Sequence, residues 1–569
     1  MSRFFGLALA VLLASTSGLS AQTRTVADLE PLVTAYFADL QDLLRRYDVP
    51  LSAEGAQRRR RYLEERARMF RDYPREGLPR DAEIDLWLLA ADVEHRLATA
   101  DREAAVLAQI DPLLAHTAPL IAACEARRRH EPVDAEASAA MLLTATAQAS
   151  ELLHRLEAGA FDQLSPPLVR TAVDELAQLH RALTAWRTFH DGYDPSFSWW
   201  TRAPWQRYAD TAQRYRDALR ARLEGGKTGD ASLVGDPIGE PALLADLRHE
   251  RIPYSPAELI EIAEREFGFC EQEAVRASTA LGFGGDWGKA LAHVKTKHRA
   301  PGSQPQLIRE LATEAIAFLD ARDLLTIPDL ARECWRMGMM SPEQQRVNPF
   351  FLGGETILVS FPTDAMDHDQ KLQSLRSNNE HFCRATVHHE LIPGHWLQQY
   401  MQARHRTYRA PFETPFWIEG WALYWEMRLY DLGFAKSDED RIGMLYWRKH
   451  RCARIVFSLN FHLGRWTAEQ CVDYLIERVG HERAAAEAEV RRSVQGGYSP
   501  LYQAAYMLGG LQLKALHREL VVFGSMTERA FHDAVLQQNA IPIALVRAAL
   551  SPSTPTAESI AGWRFADAK

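Results

Sequence analysis

The sequence predicts a mainly α-helical protein, and three observations carry that expectation. Apolar residues recur at three- and four-residue spacing over long stretches, as in "DAEIDLWLLAADVEHRLATADREAAVLAQIDPLLAHTAPLIAACEARRR", the period that lines one face of a helix. Strand signals are few, the best being the β-branched run "GGETILVSFP" from Gly353 to Pro362, bounded by glycines and proline. The composition, 47% hydrophobic and 25% charged over 569 residues, is that of an ordinary globular chain. It is long enough for about two to four packed units or one large two-lobed body.

The first segment reads as a targeting signal. Arg3 precedes an apolar run from Phe4 to Ala14 and a small-residue exit, "STSGLSAQ", which together describe a secretory signal peptide over residues 1–21 with cleavage near Ala21. So short an apolar stretch does not span a bilayer, and no cysteine follows it to carry a lipid. The mature chain is therefore expected in the periplasm or secreted, without stable membrane insertion.

Residues 22–235 read as an N-terminal helical lobe. The basic run Arg58 to Arg61 is followed by Glu64 and Glu65, the pattern of a solvated helix face with i,i+4 pairing. A net charge of −9 gives no electrostatic case for nucleic acid. The boundary is placed in "EGGKTGDASLVGDPIGEP", Glu224 to Pro241, rich in turn formers. Residues 236–569 read as a mainly helical catalytic lobe. "SPAELIEIAEREFGF" opens with Ser255-Pro256 and carries Glu258 in its first turn, a helix start. A second break is "RAPGSQPQ" at 299–306. The six cysteines, Cys124, Cys270, Cys334, Cys383, Cys452 and Cys471, form no C-x-x-C pair. A chain this long buries a sufficient core without disulfides, so most are expected as buried thiols.

The chemistry concentrates in "HHELIPGH", positions 388–395. His389 and Glu390 begin the zinc-hydrolase word H-E-x-x-H, but His395 arrives two residues late. A hydrolytic zinc usually takes three protein ligands and keeps one position for water, whose pKa falls towards ~7. On a straight helix a six-residue separation turns the second histidine roughly 240° from the first, at ~100° per residue. Pro393-Gly394 resolves this, because proline interrupts a helix and glycine tolerates unusual backbone. The helix is expected to bulge or break at 392–394, restart near His395, and so return that residue to the face of His389.

A third ligand is offered by "WIEGWALYWEMRLY", where Glu419 follows His395 by twenty-four residues. The segment is a long apolar helix, on which a carboxylate is costly unless paired or metal-bound. Glu426 lies seven residues on and nearly on the same face, a partner for a histidine N–H. A salt bridge is the competing role for Glu419; following the histidine word, the ligand role is preferred. Glu390, adjoining a ligand, is placed to act as general base. His388 points ~100° from His389 and reads as a packed or solvent-facing histidine.

"HHELIPGHWLQ" followed by "EGWALYWE" resembles domain-of-unknown-function family 885, bacterial proteins regarded as zinc metallopeptidases. "DPSFSWWTRAPWQRYADTAQRYRDAL", "GDPIGEPALLADLRHERIPYSPAELI" and "PLYQAAYMLGGLQLKALHRE" extend the likeness over most of the mature chain. The family in turn looks like the glutamate-zincin peptidases, which implies a large two-lobed helical metallopeptidase-like fold with a deep cleft and a small β element beside the zinc helix. The dipeptidyl peptidase III family, with an extra residue inside its motif, is a precedent for a bulged one. Carried over, the resemblance implies Zn2+ held by His389, His395 and Glu419 with Glu390 as base. Where family members have an aspartate in the pattern after the glutamate helix, this chain has Ser458, although Arg451, Arg454 and His462 remain.

A donor for the tetrahedral oxyanion is sought in "GGYSPLYQAAYMLGG", with Tyr498, Tyr502 and Tyr506. Tyr506 fits the family's late tyrosine-glycine segment best, with Tyr502 and His462 as further candidates and a packed aromatic stripe as the plain alternative. The strand "GGETILVSFP" could offer an exposed edge to a peptide backbone. The expected activity is hydrolysis of peptides, or of a small amide or ester substrate by a zinc amidase or esterase; a non-catalytic helical binding protein is the remaining alternative.

Overall fold

The computed structural model describes residues 26–223, 233–345, 350–495, 498–553 and 556–567. The expected signal peptide lies outside the described residues. The architecture is mainly α-helical, with two short strands among the described residues. The large core takes residues from both sides of the 224–241 segment: Leu29, Tyr36, Phe70 and Leu89 share it with Leu247, Phe267 and most of the apolar side chains after them. Two smaller cores lie wholly before residue 224, one around Leu142, Trp186 and Phe197, the other around Val169, Tyr215 and Leu219. A buried ion pair ties the N-terminal helices to the rest. Asp85 accepts from Arg409 Nε at 2.6 Å and from the Tyr408 hydroxyl at 2.9 Å.

Local signals set several boundaries. Ser255 and Glu258 form a reciprocal cap at the start of helix Pro256–Ala280, as the Ser-Pro start predicts. Strand β1, Arg336–Met339, runs parallel to β2, Thr356–Val359, from Arg336 opposite Thr356 to Met339 opposite Val359. On the other side of β2, Leu352 and Leu358 exchange backbone hydrogen bonds of 3.1 and 2.8 Å. The expected open edge along "GGETILVSFP" is therefore covered on both sides at Leu358. The cause is the return of residue 352 onto its own strand, which periodicity does not reveal.

Four helices surround the candidate site. The motif helix is Glu380–Glu390 and the restart helix His395–Gln402. The aromatic helix, Pro415–Asp431, carries Glu419 and Glu426. The tyrosine helix, Tyr502–His517, packs along it. Glycines set how closely the last two approach: a Cβ at Gly509 would lie 1.9 Å from the Phe416 carbonyl oxygen, and one at Gly420 2.6 Å from Gly509 Cα. Trp417, Trp421 and Trp425 are fully buried here. Each indole contributes about 4–6 kcal/mol of apolar burial before the entropy of fixing it. A fifth helix, Asp438–His462, is buried from Ile442 to its end. No described helix is long and apolar enough to cross a membrane. Five cysteines are buried thiols as expected, and Cys334 is an exposed one.

Candidate metal centre

The motif helix starts at Asn379, whose side chain accepts from the His381 and Phe382 N–H groups at 3.0 Å each. It ends at Glu390, where Leu391 leaves helical geometry at φ −110°, ψ −104°. A cis Ile392-Pro393 bond and Gly394 follow, and the next helix begins at His395. The break falls where the Pro-Gly pair predicts it. Gly394 donates to the His388 carbonyl at 3.0 Å; a Cβ at this position would lie 1.8 Å from the His389 oxygen, so only glycine allows the approach. Trp421 Nε1 holds the turn by donating to the Pro393 carbonyl at 2.7 Å. The two imidazoles are thereby brought face to edge, with centroids 4.8 Å apart at 89°.

Both point their Nε2 atoms at one carboxylate oxygen. Glu419 Oε2 lies 3.6 Å from His389 Nε2 and 3.2 Å from His395 Nε2. Ligands about 2.0–2.1 Å from a tetrahedral zinc are separated by about 3.3 Å, which these distances bracket. Glu419 Oε2 is buried and accepts no hydrogen bond, whereas its other oxygen accepts from the Tyr502 hydroxyl at 2.5 Å. The remaining ring nitrogens have their own partners: His389 Nδ1 meets Glu426 Oε1 at 2.7 Å, and His395 Nδ1 meets Gln398 Oε1 at 3.2 Å. Such contacts orient an imidazole for a cation at its far nitrogen. Gln398 also donates to the Ile418 carbonyl at 2.9 Å, joining the restart helix to the aromatic one. Sequence reasoning missed Gln398, although its i+3 spacing from His395 was a usable signal.

Glu390 is the second carboxylate within reach of the histidines: ligand atoms of His389, Glu390 and His395 lie within 4.8 Å of one another. Two trios thus share the histidines. Glu390 is partly buried and rests on the glycine pair before β2, where a Cβ at Gly353 would lie 2.1 Å from its Oε2. Of the two carboxylates, Glu419 presents an unpartnered oxygen to both nitrogens, and Glu390 lies beside them. The residues present fit a zinc ion.

The electrostatics agree with that division. Burial alone would push the His389 pKa down, but the Glu419 and Glu426 carboxylates that face its two ring nitrogens lift it to about 9. Burial likewise opposes ionisation of Glu419, yet the facing imidazoles hold it well below the usual carboxylate range. The negative potential that keeps protons on these rings is the potential that attracts a divalent cation in their place. Glu390 shifts the other way, raised first by burial.

The tyrosines divide. Tyr502 is bonded to Glu419. Tyr506 lies nearly parallel to the His389 ring, with centroids 6.4 Å apart at 13°, and its hydroxyl accepts from Arg492 Nη2 at 3.4 Å. The Arg454 guanidinium stands 4.4 Å from the centre of the Tyr506 ring and is fixed by a 2.7 Å bond to Glu489. Arg451 reaches Glu426 Oε1 at 3.5 Å. His462 does not join the site. It lies eight residues beyond Arg454 on the same helix, about 12 Å along its axis, and packs beside Phe461. The eight-residue offset already implies that separation on a regular helix. His388 is a packed histidine, 1% exposed, edge-on to Phe434. The Cys383 thiol donates to the Asn378 carbonyl.

A family model described as "Bacterial protein of unknown function (DUF885)" matches residues 35–550. No curated protein matches the chain. Among solved structures, a "putative lipoprotein of unknown function" from Shewanella oneidensis superposes with a TM-score of 0.67 at 16% identity, covering 93% of this chain and 100% of its own. A "putative lipoprotein" from Colwellia psychrerythraea gives 0.56 at 15% identity, covering 92% and 97%. At these identities the likeness establishes the fold alone.

Proposed function

We propose that this chain, which belongs to the DUF885 family of bacterial proteins of unknown function, is an exported zinc-dependent peptidase. The observation that carries the reading is the Glu419 oxygen, buried, without a hydrogen bond, and facing both histidine Nε2 atoms beside Glu390. His389, His395 and Glu419 would hold the ion. When bound, it supplies a Lewis acid and lowers the pKa of water.

The chain's own groups complete the chemistry. Glu390, its carboxyl pKa raised by burial, takes the proton from the attacking water and returns it to the departing amine. Glu426 and Gln398 keep the two Nδ1 atoms occupied so that both Nε2 atoms face inward. Tyr502 holds Glu419 with one oxygen turned to the histidines. Tyr506 presents its hydroxyl proton to the oxygen that becomes negative as the carbonyl is attacked. Export is supported by the short apolar N-terminus and by the lipoprotein descriptions of the structural neighbours.

The test is a library digest by the zinc-loaded protein and its Glu390→Gln variant. The variant should keep its zinc and lose about 10²–10⁴ in rate. Turnover at the wild-type rate with zinc bound would refute the assignment of the base.

A further inference from the structure

Among the charged groups around Tyr506, one cation is left over. Arg451 is paired with Glu426, and Arg454 with Glu489. Arg492, on helix Arg483–Val494, forms no ion pair with any described carboxylate. Glu489, the nearby acid, bonds Arg454 at 2.7 Å and attracts Arg492 without direct contact. Arg492 Nε is buried and unpartnered, as is Nη1 of Arg454, which is 4% exposed. The guanidinium of Arg492 stands 4.9 Å from the Tyr498 ring and donates from Nη2 to the Tyr506 hydroxyl at 3.4 Å. Tyr498 is 37% exposed, so this group of side chains reaches the surface. A guanidinium with no carboxylate in direct contact is matched to one, which it binds in a planar, charge-assisted manner.

Resting on the peptidase reading, we infer that Arg492 binds the α-carboxylate of the substrate's last residue, so that the enzyme removes single C-terminal amino acids. Position selects this carboxylate. Tyr506 faces the scissile carbonyl, and Arg492 is one hydrogen bond away from that hydroxyl. In a peptide the terminal carboxylate carbon is three bonds from the preceding carbonyl carbon, within the ~3.3–3.6 Å that one residue spans. The acidic side chains of aspartate and glutamate carry their charge farther along. Arg492 also offsets the repulsion that Glu390 and Glu419 exert on an incoming anion. In the reaction the last C–N bond breaks, water's oxygen enters the new carboxylate, and the amine of the released amino acid takes the proton.

Two measurements decide it. Peptides with free and with amidated C-termini are digested by zinc-loaded wild-type, Arg492→Gln and Arg492→Lys proteins, and the products are weighed by mass spectrometry. Wild type should release one residue from free acids only. Arg492→Gln should keep its zinc and raise KM by about 10- to 100-fold, with partial rescue in Arg492→Lys. Equal cleavage of amidated peptides would overturn the inference, as would cleavage of them beside internal Asp or Glu. The second arm needs no turnover: calorimetric binding of N-acetyl-dialanine and of its amide to Glu390→Gln, with and without Arg492→Gln. Preference for the acid that disappears with Arg492 supports the site even if no peptide is ever cleaved, an outcome that would remove the peptidase reading alone. Equal affinity for acid and amide refutes the site.

Discussion

Replacing Glu419 by glutamine distinguishes a metal ligand from a buried ion-pair partner. The change keeps volume and the contact with Tyr502 but removes the charge from an oxygen 3.2 and 3.6 Å from the two Nε2 atoms. Apparent binding energies at protein zinc sites are about 10–16 kcal/mol for four ligands, so one ligand is worth about 2.5–4 kcal/mol, or ~10²–10³ in Kd. Glu426→Gln provides the internal comparison. Glu426 touches His389 only at Nδ1, at 2.7 Å, and loss of such an orienting contact weakens zinc by ~10–100-fold. Both affinities are measured by competition with a chromophoric chelator, after dialysis to the metal-free protein. The expected order is wild type, then Glu426→Gln, then Glu419→Gln. Wild-type affinity in Glu419→Gln would refute the ligand set, and a greater loss in Glu426→Gln would exchange the two roles.

Tyr506→Phe should retain zinc and lower kcat more than it raises KM, because an oxyanion donor acts mainly in the transition state; Tyr502→Phe should instead weaken zinc by about tenfold, through Glu419, and a chelator titration separates the two. Gly509→Ala forces a methyl to within 1.9 Å of the Phe416 carbonyl; thermal denaturation should show a loss of about 2–3 kcal/mol, and an unchanged melting temperature would contradict the close helix contact. Glu250, buried against the Thr414 hydroxyl, has its carboxyl pushed up to about 7 from 4.5 by burial. The folded chain then holds a proton that the unfolded chain releases, so stability falls as pH rises from about 4.5 through about 7. Glu250→Gln should lack that decline and be more stable than wild type at pH 8, by about 3 kcal/mol; identical pH profiles in urea denaturation would refute it.

What could be read from the sequence was local. The helices announce themselves by period, and the Pro393-Gly394 break by the chemistry of two residues. The inward-facing glutamates follow from the cost of carboxylates on an apolar helix. What escaped depends on which distant segments meet. Gly420 and Gly509 are ordinary glycines until the aromatic and tyrosine helices are laid together. Only then do Tyr502 and Tyr506 acquire different partners, Glu419 for one and Arg492 for the other. Arg492 carried no signal, because an arginine is distinctive only by the absence of a partner. A core shared by Leu29 and Phe267 is likewise invisible to a composition change at 224–241.

The competing account of the site is a structural ion pair, in which protonated imidazoles simply neutralise Glu419. Charge-assisted N–H···O contacts close to about 2.7–2.9 Å. His389 does so on its Nδ1 side, 2.7 Å from Glu426. On its Nε2 side it stands 3.6 Å from Glu419, and His395 stands 3.2 Å away, while the shared oxygen accepts no hydrogen bond. One ring thus makes a tight contact outward and a long one inward. An ion pair gives no reason for that asymmetry, since burying a carboxylate without closing its bonds costs several kcal/mol. Donors that share a cation do give one: each lies close to the ion and therefore about 3.3 Å from its neighbours. Glu390 is consistent with the same choice, because an ion pair between Glu419 and the histidines has no use for a second, partly buried carboxylate beside them.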